Sequence, residues 1–175
     1  FWMQCGFQIV RLGVHKEASS GCYAAMAIYP LTEKGEQLLR SSLRAFTLQY
    51  PQIKQQTKLC LADNLIPNHI ATSQDRWLMV AGFAFAHRPA LTVYESVANF
   101  LAGYEQHYPL LVAFFVDNKS VEQCVAEFSL LGKKVLTKQL REQCAQLMAE
   151  KDPQLTSRYQ QWLVTYSHPS CFDFV

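Results

Sequence analysis

Convincing strand sequence lies in the first thirty residues of this chain, and from Thr32 onward the dominant periodicity is helical. Phe7 to Leu12 is rich in β-formers, and Cys22 to Tyr29 reads as a second, largely buried strand. Gly13 and Ser19-Ser20-Gly21 bracket a polar connection, so the expected unit is an antiparallel hairpin with a long loop. Two strands alone are marginal in water and require a partner sheet. No later segment supplies one, which points to part of a longer protein. The free edges of such a hairpin also invite pairing between copies, so a homodimer through Phe7–Tyr29 is one expectation.

The helical part divides at prolines and glycines. Thr32 is placed to cap a helix with Glu33 and Glu36 in its first turn. Leu39, Leu43, Phe46 and Tyr50 then form its buried stripe, and Pro51 is expected to end it. Gln52 to Ser73 reads as a long connection, followed from about Asp75 by a helix with Trp77, Val80, Ala81, Ala84 and Phe85 on one face. Thr92-Val93-Tyr94-Glu95 has the form of a capping box opening a third helix. Leu110 to Val116 fits a buried strand or a core helix, and its helical neighbours favour helix. Ser120 to Leu131, a stop at Gly132, and Lys134 to Glu150 form a helical hairpin; a last helix begins at Pro153 and runs through Trp162. Tyr166 to Val175 has no clear pattern. The expected class is α+β, mostly α.

Half of the 175 residues are hydrophobic and 13% are aromatic, which excludes a disordered chain. No apolar run approaches the ~20 residues that span a bilayer, so no membrane partner is expected. A formal charge of +2 is too small to announce a nucleic-acid binder, so any RNA contact must come from local clusters. Cys5, Cys22, Cys60, Cys124, Cys144 and Cys171 form no Cys-x-x-Cys pair, which predicts no metal site and reduced, mostly buried thiols.

Two local clusters are basic. On the helix beginning near Lys134, the residues Lys134, Lys138 and Arg141 fall within roughly 60° of one another, with Lys133 beside them. Leu136, Leu140, Cys144 and Leu147 lie on a different, buried face. Such a stripe suits phosphates, with Glu142 weakening its field; a solvated helix face is the alternative. His87-Arg88 before Pro89 ends a helix, where RNA contact and capping of the last carbonyls are equal readings.

Two blocks carry a family resemblance. The first is Phe1-Trp2, Cys5-Gly6-Phe7, the strand after it, and the loop His15-Lys16-Glu17-Ala18-Ser19-Ser20-Gly21-Cys22-Tyr23. The second is Trp77-Leu78 with Ala81-Gly82-Phe83-Ala84-Phe85-Ala86-His87-Arg88-Pro89. Together they resemble the bacterial tRNA(Met) cytidine acetyltransferases, with weaker likeness over nearly the whole chain. The resemblance implies a cytoplasmic enzyme that moves acetyl from acetyl-CoA to the wobble cytidine of elongator methionine tRNA. It implies that residues 1–31 are the terminal helix–strand–strand piece of a GNAT acetyltransferase fold and 32–175 a helical tail that grips tRNA. It assigns ATP or GTP hydrolysis to a helicase-like module outside this chain.

By the same resemblance, Phe1, Trp2 and Gln4 wall the acetyl-CoA cleft. Gln4 stands where the family has an arginine, and the alternative for Phe1 and Trp2 is packing of the helix onto the sheet. The loop residues border the acceptor side, where His15 is a candidate base for the cytidine amine and Lys16 a candidate phosphate contact; a solvated polar loop is the alternative. With the resemblance, Lys133, Lys134, Lys138, Arg141, His87 and Arg88 become candidate RNA contacts. Two rival readings are a non-catalytic module using Ser120 to Glu150 as a helix-turn-helix, and a purely structural tail.

Overall fold

The computed structural model describes residues 1–66 and 68–167, and the chain forms two compact units, the first Phe1–Arg76 and the second beginning at Trp77. The described part is mostly helical with one two-stranded antiparallel sheet, the expected α+β class.

The first unit opens on a single helical turn closed by a Schellman motif. The Gly6 amide donates to the Met3 carbonyl and the Phe7 amide to the Trp2 carbonyl, both at 3.1 Å. Gly6 holds φ +86°, and a Cβ there would meet the Tyr29 ring at 3.1 Å, so glycine is demanded twice over. Trp2 and Phe7, the two residues the motif brings together, pack edge to face with centroids 5.1 Å apart. The chain then enters β1 (Gln8–Lys16), paired with β2 (Tyr23–Ile28) in a register that sets Gln8 opposite Ile28 and Lys16 opposite Tyr23.

β1 is longer than Phe7–Leu12: Gly13 lies inside it, and His15 and Lys16 are strand residues rather than loop residues. The connection shrinks to Glu17–Cys22, closed by Glu17 and Gly21 amide bonds at 2.9 Å and by the Ser20 hydroxyl on the Glu17 carboxylate. The expectation of a largely buried second strand fails, because Ala24, Ala25 and Met26 are exposed. Val10 of β1, with Leu39 and Leu43 of α1 (Glu33–Thr57), makes the buried core of the sheet, and Ile28 is the partly buried member from β2.

α1 is capped as expected by the Thr32 hydroxyl, which accepts from the Gly35 amide at 3.1 Å. Pro51 does not end it. The buried stripe Leu39, Leu43, Phe46, Tyr50 continues to Ile53, and Pro51 faces solvent. Burial of that stripe outweighs the amide hydrogen bond lost at proline. The helix stops at Lys58 in the left-handed region (φ 59°). The Leu61 amide then donates to the Tyr50 phenol at 2.8 Å, tying the following connection back to α1. α2 (Ser73–Phe85) starts two residues before the expected Asp75, behind a reciprocal cap described below.

In the second unit α3 (Tyr94–Leu101) follows a 3-10 turn, Ala90–Thr92. The expected Thr92/Glu95 capping box is absent: the Thr92 hydroxyl donates to the Pro89 carbonyl at 2.8 Å and is spent on that turn. α4 (Pro109–Leu111) passes into a π-helical turn, Val112–Val116, that buries Ala113, Phe114 and Phe115, so the helical reading of this segment holds. α5 (Val121–Glu127) carries a full capping box, Ser120 with Gln123. It ends four residues before Leu131, and Gly132 (φ 117°) precedes α6 (Lys133–Lys151) as its N-cap instead of stopping α5. α7 (Pro153–Ser167) begins at the expected proline and outruns Trp162. The last eight residues of the patternless tail, Cys171 among them, lie outside the described residues.

α6 is the hub of this unit, packed against α3, α4, α5 and α7. Its buried face is the expected Leu136, Leu140, Cys144 and Leu147, joined by Met148. Aromatic pairs fill the space around it: Trp77 with Phe100 at 4.9 Å, Phe83 with Phe115 at 5.7 Å, and Tyr94 with Phe115 at 5.0 Å. The Tyr108 phenol donates to Glu150 at 2.7 Å; burial, then Glu150, pushes its ionisation up.

Candidate nucleic-acid interface

Of the α6 cluster, Arg141 reaches the end of α2. Gly82 leaves room there: a Cβ at this position would stand 2.7 Å from Arg88 Nε, so the Arg88 side chain lies directly across the glycine. The Arg88 amide also returns to the Gly82 carbonyl at 3.2 Å, which closes the helix end. From α6, Arg141 reaches the same place. One guanidinium nitrogen donates to the Ala86 carbonyl, and the group lies 5.2 Å over the Phe83 ring. A cation at the negative end of a helix is favourable, and an aromatic face below it adds to the attraction.

Arg141 is therefore turned inward. The expected outward stripe of Lys134, Lys138 and Arg141 reduces to Lys134 and Lys138, both exposed, with exposed Lys133 beside them. Glu142 does sit near, 3.7 Å from Lys138, in an exposed contact of little net worth. His87 is exposed in the turn that Arg141 holds, while Arg88 is half-buried. The contact between Arg141 and Ala86 ties α6 to the turn that carries His87 and Arg88.

In the first unit Phe1 and Trp2 are exposed and edge to face at 5.2 Å, continuous through Phe7 with Tyr29. Gln4 is exposed on the same turn. Next to Phe7 a cavity of 220 Å³ is lined by Met3, Ile9, Leu43, Leu65 and Ile66. His15 and Lys16 are exposed at the far end of β1, with the Lys16 ammonium 5.7 Å over the Tyr23 ring. The turn thus displays an aromatic wall. None of the seven glycines builds the glycine-rich loop that would cradle a pyrophosphate.

Two features escaped the sequence reading. Thr72 and Asp75 form the reciprocal cap of α2: the Asp75 amide donates to Thr72 Oγ1 at 3.2 Å, and the Thr72 amide donates to Asp75 Oδ2 at 2.8 Å. Arg44 Nε of α1 joins the same oxygen at 2.8 Å. Burial pushes the Asp75 carboxyl up, but the bonds from Arg44 and Thr72 outweigh it and hold it below its ordinary value. The Thr-x-x-Asp spacing was the available signal. Lys151 is the second, its ammonium 4.4 Å over Tyr104, and sequence alone gives no sign of that contact. Among the five described cysteines only Cys124 and Cys144 are buried, so the expectation of mostly buried thiols fails at Cys5, Cys22 and Cys60.

An α-helical unit that displays lysines from one central helix and holds a helix end with arginine has the makings of a nucleic-acid-binding module. A family model described as a tRNA-binding domain matches residues 31–154, and the chain belongs to that family. It is also similar to proteins named tRNA(Met) cytidine acetyltransferase TmcA. The relative from Pectobacterium atrosepticum is 36% identical over 170 residues, 94% of this chain and 24% of its own length. Those from Photorhabdus asymbiotica and Citrobacter koseri are 35% and 34% identical, covering 97% and 93% of this chain. The chain spans about a quarter of the length of these curated relatives.

Proposed function

We propose that this chain is the tRNA-gripping C-terminal part of an RNA acetyltransferase that modifies the wobble cytidine of elongator methionine tRNA in the cytoplasm. The observation that carries the reading is the tRNA-binding-domain match over 31–154, a range that contains α2, α6 and all their candidate cations. Lys133, Lys134 and Lys138 meet RNA phosphates, and His87 and Arg88 make a further RNA contact from the end of α2. Contacts of this kind position an RNA without reading its sequence. The domain plan of this reading is 1–31 as the end of a GNAT fold and 32–175 as the helical tail; the glycine-closed turn followed by a hairpin supports the first part. ATP or GTP hydrolysis belongs to a module outside this chain.

Acetyl-CoA, when bound, supplies an activated thioester. Phe1, Trp2 and Gln4 fit one wall of its cleft, and its phosphates require residues from elsewhere in the longer protein. Cytidine's exocyclic amine is a weak nucleophile because its lone pair is delocalised into the ring. As the amine forms its bond to the acetyl carbon and the thiol departs, its proton must pass to a base, and this reading gives that role to His15. Lys16 meets a neighbouring phosphate.

The test is binding of methionine tRNA by the 175-residue chain across a salt series, wild type against Lys134→Ala/Lys138→Ala. Affinity should fall with salt, and the double variant should lose about 0.7–0.9 from the log–log slope for each phosphate contact removed. Folded chain that binds no tRNA at low salt would overturn the reading and leave the helices as scaffold.

A further inference from the structure

The turn between α5 and α6 presents a leucine to solvent in a fixed direction. α5 ends in a Schellman motif: the Ser129 amide donates to Ala126 at 3.4 Å and the Leu130 amide to Val125 at 2.9 Å. Ser129 accepts a left-handed backbone (φ 52°) to make that closure, although it is not glycine. Two residues later the Leu136 amide donates to the Gly132 carbonyl and α6 has begun. Leu131 is held between these two closures. Leu130 is half-buried, and Leu131 is 95% exposed, more than any other large apolar side chain described.

The charges around this leucine have one sign to spare. Lys133 and Lys134, two and three residues on, are exposed, and neither is in an ion pair among the described residues. Of the nearby carboxylates, Glu127 is taken by Lys119 at 2.6 Å and 2.8 Å. Glu122 accepts the Ser120 hydroxyl at 2.8 Å and feels Lys133 only through space. An apolar point beside two lysines is complementary to an unstacked nucleotide, which offers an apolar base face next to anionic phosphates. Apolar side chains that wedge between bases beside cationic phosphate contacts are an established way to hold nucleic acid.

We propose that Leu131 packs against an unstacked base of the tRNA while Lys133 and Lys134 hold the phosphates on either side of it. This rests on the tRNA-binding reading above and adds an apolar, salt-insensitive contact to it. The turn is an RNA-facing finger, and α6 carries its two lysines in its first turn.

The experiment measures methionine tRNA affinity of the full chain over a salt series for wild type, Leu131→Ala, Leu131→Phe and Lys133→Ala/Lys134→Ala. Leu131→Ala should weaken binding about tenfold, as expected for losing most of one buried leucine contact. Its log–log salt slope should stay at the wild-type value, because no phosphate contact is lost. The lysine pair should instead lower the slope by about 1.4–1.8. Leu131→Phe should bind at least as tightly as wild type, since an aromatic ring stacks on any base. Because the side chain is exposed, all four proteins should share one circular dichroism spectrum and melting curve. If wild type binds and Leu131→Ala matches it at every salt concentration, the finger is refuted while tRNA binding stands. Loss of salt slope in Leu131→Ala equal to that of the lysine pair would also refute it. If wild type fails to bind, both proposals fall. Concentration-dependent self-association of wild type that Leu131→Ala abolishes, with tRNA affinity unchanged, would assign the leucine to a protein contact instead.

Discussion

Removing the Asp75 carboxylate should unseat the join between α1 and the start of α2. Asp75 is 8% exposed, and its Oδ2 accepts from Arg44 Nε, the Thr72 amide and the Thr72 hydroxyl at 2.8, 2.8 and 2.7 Å. Asp75→Ala deletes a charge-assisted hydrogen bond, worth about 1.5–3 kcal/mol, and half of a reciprocal helix cap, worth about 1 kcal/mol. The Arg44 side chain is 30% exposed, so water partly replaces its lost partner and the sum falls toward the lower end. A loss of about 2–3 kcal/mol is expected, read as a lower urea midpoint at unchanged slope. The pairwise part comes from a cycle with Arg44→Met and Asp75→Asn, where a coupling of about 1–3 kcal/mol is expected. The pH dependence has a definite sign. A carboxyl held below its unfolded value stabilises the fold above that value, near 3.9, and loses the contribution as pH falls toward the folded value. Wild type should therefore lose its advantage over Asp75→Asn below about pH 4. A coupling indistinguishable from zero, or an advantage constant from pH 7 to pH 3, would refute the account.

Arg141→Ala should cost about 1–2 kcal/mol of thermal or urea stability by freeing the α2 end from its cation and the Phe83 face, whereas exposed Lys134→Ala should stay within about 0.5 kcal/mol. Gly6→Ala forces a side chain into φ +86° and against the Tyr29 ring, so a loss of about 1–2 kcal/mol is expected in the same assay. In a Cys171→Ser background, a thiol reagent should label Cys5, Cys22 and Cys60 promptly and Cys124 and Cys144 only on unfolding, as mass spectrometry of the labelled peptides would report.

The sequence was most legible where a local rule and a burial pattern agreed. Thr32 caps α1, Gly6 turns the chain, Pro153 opens α7, and the leucine stripe of α6 is buried. It misled where one residue's habit met a stronger neighbour. Pro51 has the habit of ending helices, but the apolar stripe passes through it to Ile53. Thr92 has the habit of capping, but the Pro89 carbonyl lies within its reach first. Helical angles placed Arg141 on the outer face with Lys134 and Lys138; a long side chain can lean away from its own angle, and this one finds Ala86 and Phe83. Contacts between residues far apart in sequence, such as Arg44 with Asp75 or Lys151 with Tyr104, leave no periodic trace to read.

α6 carries the exposed lysines on the same rod whose opposite face is gripped by α3, α4, α5 and α7. Its amides should be among the slowest in the chain to exchange with deuterium, because opening them means dismantling the packing of four neighbours at once. Charges mounted on so rigid a support lose little freedom when a polyanion arrives, beyond that of the lysine side chains themselves. Ligand binding at this face should accordingly slow exchange in the turns at its rim, around Ala86 and Leu131, and leave the α6 rates close to those of the free protein.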